Sequence, residues 1–305
     1  MTSVAETLND QPIALPSEQP RERGFDWTTI TGSPAFWPGV ALAAGVFIAY
    51  LPLMRNLWGL WTSGDGYYSH GLLVPPIIGY VIYKRWDRIK DTPVKPAALA
   101  IIPILALTWI ALRAGTAGIS MIMAACLVGT LVFGTAFVAG WRWMAVTLPA
   151  TLYSVFALPF WSGAIDAYTN PLQLVSTKVA YEILKVMGYT LFVNPSDPTT
   201  IVMNSYTLDV AVPCSGLKLV LALSAFVGFF VLIARLPVWA NAVLVASILP
   251  MALFFNGLRI AMIGMVGDGM GHEAAAQFHD YSGFITLGVC FFALFKFARA
   301  LGWND

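Results

Sequence analysis

The chain alternates long apolar runs with short polar interruptions. Runs of about 20 residues, enough to cross roughly 30 Å of hydrocarbon as helix, fall near 36–54, 69–83, 98–114, 118–140, 143–161, 215–234, 238–257 and 282–299. The pattern predicts an all-α polytopic membrane protein of about eight transmembrane helices, the second of them short, in a single membrane domain over 36–300. The stretch 258–267, LRIAMIGMVG, is apolar enough either to extend the seventh span or to re-enter after it.

Two segments break the pattern. Between spans five and six, Leu172, Val175, Val179, Ile183 and Val186 recur at helical steps with Lys178, Glu182 and Lys185 between them, which predicts an amphipathic helix at the outer interface over 164–188. After it, TTIVMNSYTLDVAVP carries two β-branched runs around Asn204 and Ser205 and predicts a small β-hairpin that delivers the chain to Cys214. At the ends, residues 1–35 are polar, proline-containing and mixed in charge, and span one lacks an evident cleavage site; a disordered cytoplasmic tail is expected there, with a second short tail at 301–305.

Composition adds that 58% of the 305 residues are hydrophobic and 11% charged, which places the chain in a membrane. A net charge of +1 gives no reason to expect a nucleic-acid partner, and three scattered cysteines form no disulfide framework. Three histidines without ligand spacing predict no metal site, and no cofactor is expected. Lys84, Arg85, Arg88, Lys90 and Lys95, then Arg142, Arg235, and finally Lys296 and Arg299 fall into alternate loops. Since basic loops stay in the cytoplasm, both termini are expected inside, with the loops near 55–70, 162–214 and 258–281 outside.

Those outer loops hold the candidate chemistry. Cys214 stands where a helix would begin, so unpaired backbone N–H groups and Lys218 one turn on would favour a thiolate. Arg259 lies at the edge of an apolar segment, and His272 and His279 precede the last span. Each has an ordinary explanation: an inert buried thiol, an arginine that snorkels, interfacial histidines. Cysteine, arginine and histidine together at one membrane face are more specific.

Four motifs in order carry a family resemblance: YYSHGLLVPP from Tyr67, CSG at 214–216, NGLR at 256–259 and HDYSG at 279–283. From about residue 40 to 298 the chain resembles the exosortase and archaeosortase family of polytopic membrane cysteine transpeptidases. The resemblance implies Cys214, Arg259 and His279 as the catalytic set, with His70, Lys218, Asn256 and His272 as candidate substrate contacts. Lys218 departs from the arginine common at its position, replacing a planar fork with a point charge. Also implied are a bacterial inner-membrane location with the site facing the periplasm, and as partners secreted proteins whose C-terminal tail holds a short Pro-Glu-Pro-type motif, one helix and a basic end. Two other readings of the residues stay open: a secondary transporter or channel, and a non-enzymatic assembly factor of exopolysaccharide export.

Overall fold

The computed structural model describes residues 36–63, 66–234 and 236–303. The tail expected at 1–35 and Arg235 lie outside them. The chain divides into an N-terminal unit, Met1–Val46, and a larger one, Phe47–Asp305. In the first, only the start of helix α1 (Phe36–Thr62) is described.

In the second unit, α1 continues to Thr62, and the Tyr50 hydroxyl meets Thr130 Oγ1 at 3.0 Å. A 3-10 turn, Ser69–Leu73, leads into α2 (Val74–Lys84), followed by the short α3 (Trp86–Lys90). Next come α4 (Ile101–Thr116), α5 (Ser120–Ala139) and α6 (Trp141–Leu152). Two 3-10 turns then connect α6 to α7 (Ser162–Val186). Strands β1 (Phe192–Val193), β2 (Thr200–Val202) and β3 (Thr207–Asp209) precede α8 (Leu217–Ile233), α9 (Val238–Met270) and α10 (His272–Ala300).

Among the described residues six helices are long and apolar enough to cross a membrane, or seven if one bent pair counts as a span, against the eight that hydropathy predicts. The run at 69–83 yields an 11-residue α2 opened by Pro75 and Pro76, about 16 Å long at 1.5 Å per residue. The run at 143–161 does not stay straight: Pro159 forces Leu158 into an extended conformation, φ −107° and ψ 154°. The chain there bends by 60° between 141–157 and 159–186.

The stretch 258–267 extends its span. Nothing breaks the helix before Gly271, so α9 runs 33 residues, about 50 Å, and outreaches the hydrocarbon. The expected hairpin is present in antiparallel register, Ile201 opposite Leu208, and β1 adds a third strand to it. A strand of two residues is too short for alternation to reveal.

Small residues let helices close up, as packing in lipid favours. A Cβ at Gly257 would come 2.4 Å from Val179 Cγ1, so α7 lies directly on α9. The sheet joins the same core through Ile201, Met203, Leu208 and Val210, together with Leu184, Ile260 and Cys214. Large apolar side chains such as Leu99, Trp109, Phe284 and Phe292 are exposed, as a lipid-facing surface requires.

Candidate active site

β3 and a 3-10 turn, Val212–Cys214, bring the chain to the head of α8. Gly216 caps that helix at φ +86°, a left-handed conformation that other residues adopt at a cost. A side chain there would also meet Asn256 Nδ2 at 2.9 Å.

The turn is held from outside. Asn256 Nδ2 donates to the Cys214 carbonyl at 2.8 Å, Ser176 Oγ to the Ser215 carbonyl at 3.0 Å, and Gln173 Nε2 to the Val210 carbonyl. Ser176 and Asn256 are buried at 0% and 3% exposure. An unmet buried carbonyl is costly, so these side chains from α7 and α9 fix the path of the cysteine segment.

Cys214 Sγ lies 3.0 Å from His279 Nε2, two turns into α10. The other ring nitrogen, Nδ1, faces Asp280 Oδ1 at 3.4 Å. A proton on Nδ1 leaves Nε2 free to accept from the thiol. From α9, Arg259 donates through Nε to Ser282 Oγ at 2.9 Å and through Nη2 to the His279 carbonyl at 3.1 Å. Cys214 is itself buried, at 5% exposure; the charges bearing on it are the Arg259 guanidinium and, opposing it, the carboxylate of Asp209 at the end of β3.

Helix lengths put the three groups at one level. From Val238 to Arg259, and from His279 to Ala300, the rise is about 31 Å at 1.5 Å per residue, close to one hydrocarbon thickness. Cys214 lies in the turn that leads into α8, which runs toward the same far end.

Asn256, Arg259, His279 and Cys214 thus share one cluster. His70 and His272 pack against other partners. His70 Nε2 meets the Phe156 carbonyl at 3.0 Å, and Lys218 exerts its charge on that imidazole. His70 also lines an apolar groove of about 450 Å³ with Val74, Ile77, Tyr80, Phe226 and Phe229. His272 packs its ring 6.2 Å from that of Tyr206 in the hairpin turn.

Gln173, Ser176 and Ser282 escape a reading of the sequence alone. The first two sit in the amphipathic helix and look like its polar face. Ser282 is within a quoted motif, at i+3 from His279, the spacing that could have drawn notice.

A family model for transmembrane exosortases matches residues 61–296. No curated protein and no solved structure matches. The matched region runs from the end of α1 nearly to the end of α10 and takes in Cys214, Arg259 and His279; the chain belongs to the transmembrane exosortase family.

Proposed function

We propose that the protein is a membrane-embedded cysteine peptidase or transpeptidase that removes the C-terminal sorting tail of secreted proteins. The 3.0 Å contact between Cys214 Sγ and His279 Nε2 carries this reading. A thiol beside an imidazole can lose its proton as it attacks.

His279 Nε2 takes the thiol proton while sulfur adds to the scissile carbonyl. Arg259 stabilises the oxyanion or holds a substrate carboxylate. On collapse the imidazolium gives its proton to the leaving amine, and the tail departs from a Cys214 thioester. An incoming nucleophile, water, an amine, or a lipid or glycan hydroxyl, then loses its proton to His279 and displaces the thiolate.

The site faces the periplasmic side of a bacterial inner membrane. Basic residues at the opposite end support this orientation: Arg85 Nη2 bonds the Leu232 carbonyl at the foot of α8, and Lys296 and Arg299 close α10. Facing that way, the enzyme meets a tail whose own helix holds the cleavage motif at the membrane boundary, which replaces a free encounter with a positioned one. On this reading His70 lies along the substrate's path, at the groove lined by α2 and α8, Lys218 bears on it by charge, and His272 contacts the secreted portion.

The test is co-expression of a secreted reporter bearing such a tail with wild type or with Cys214→Ala, reading reporter mass and membrane retention. Tail loss with wild type alone is expected. Equal loss with both would remove the nucleophile assignment.

A further inference from the structure

Arginine is a flexible side chain, with rotamer entropy to lose when it is fixed. Arg259 must nevertheless present its charge to one sulfur atom. Ser282, 1% exposed on α10, stands behind it. Its Oγ accepts from Arg259 Nε at 2.9 Å and donates to the His279 carbonyl at 3.1 Å. Arg259 Nη2 reaches that same carbonyl at 3.1 Å. The three bonds close a ring that consumes two of the guanidinium's five N–H groups and leaves three for the thiolate or an oxyanion.

We propose that Ser282 is a positioning residue of the active site, whose hydroxyl holds the Arg259 guanidinium in register with Cys214 and His279. Serines in helices often donate to the carbonyl three residues back, which accounts for the donated bond. It does not account for the accepted one, which comes from a different helix. The neighbouring position suits the same purpose: a Cβ at Gly283 would meet Arg259 Nη2 only at 3.8 Å, an ordinary contact.

The inference rests on Cys214 as the reactive thiol, and its test uses no substrate, so a silent tail reporter would leave it standing. The full-length protein in detergent is alkylated with iodoacetamide, and modification of Cys214 is followed by peptide mass. The charged groups bearing on that sulfur are Arg259, His279 with its neighbour Asp280, and Asp209. Ser282→Ala removes one oxygen at a helical position where alanine is well tolerated. Cys126 and Cys290 are buried as Cys214 is, and Cys214 differs by the imidazole beside it; unchanged alkylation of the other two shows that the fold persists.

With Arg259 present, Ser282→Ala is expected to slow alkylation on the order of fivefold, the scale of coupling between contacting side chains. In an Arg259→Gln background it is expected to change nothing further. An unchanged rate in the first background would overturn the proposal. So would equal slowing in both, or faster alkylation, which would report a loosened helix rather than a displaced guanidinium.

Discussion

The two ends of α8, α9 and α10 are held by different physics. At the foot, aromatic rings interlock: Phe226 stacks on Phe291 at 4.3 Å between centroids, and Trp303 meets Phe230 edge-on at 4.9 Å. At the head, the contacts are polar and directional: Asn256 to the Cys214 carbonyl, Arg259 to Ser282, Cys214 to His279. Apolar packing tolerates small displacements at modest cost, whereas a hydrogen bond weakens steeply once its geometry drifts. The foot is held mainly by packing, and the head adds to its apolar core the directional contacts on which the proposed chemistry depends.

That contrast can be broken most sharply at the thiol. Cys214→Ser keeps the shape but replaces the nucleophile, and tail removal is expected to fall by about 10⁴-fold or more, with membrane insertion unchanged; normal processing would end the assignment. Arg259→Lys retains a charge and loses the fork, so a rate reduced about 10- to 100-fold is expected. Full activity in that variant would mean that bonding direction is immaterial at the head.

At the foot the expected effect changes kind. Phe230→Ala should cost about 3 kcal/mol of stability, measured as a shift in detergent or thermal unfolding, while the turnover of the folded fraction stays near wild type. A lost rate without lost stability would show that the two ends are not separable. The smallest effect lies in the loop before β2. Asp197 accepts bonds from the Thr199 amide and hydroxyl and from Thr200 Oγ1, which holds its carboxyl below the usual range. A depressed carboxyl contributes stability above its unfolded pKa and loses it as pH falls through the folded one. Asp197→Asn is therefore expected to cost a little at neutral pH and nothing in strong acid, read from unfolding midpoints at both.

How far the sequence reveals these ends follows from the range of the interactions. The foot is mostly local information, since α8, α9 and α10 each show as an uninterrupted apolar run. The head was reachable only as residue types at one membrane face, together with four motifs. Its distances depend on where α7 and α10 stand, as with Ser176 beneath Ser215 and Ser282 behind Arg259. The difference in span count has equally local causes: Pro159 bends one run, and Pro75 and Pro76 shorten another, while hydropathy sums over both.

Arg259 and His279 ride on consecutive helices separated by Gly271, whereas Cys214 belongs to the turn that feeds α8. The thiol–imidazole contact thus crosses from the turn before α8 to α10. A slip of a single residue between those two elements, about 1.5 Å, would open the thiol–imidazole contact while every helix stayed intact. On the proposed function the rate would be a readout of helix register, and the thickness of the surrounding bilayer, which biases how helices tilt and settle, would become a variable of the chemistry.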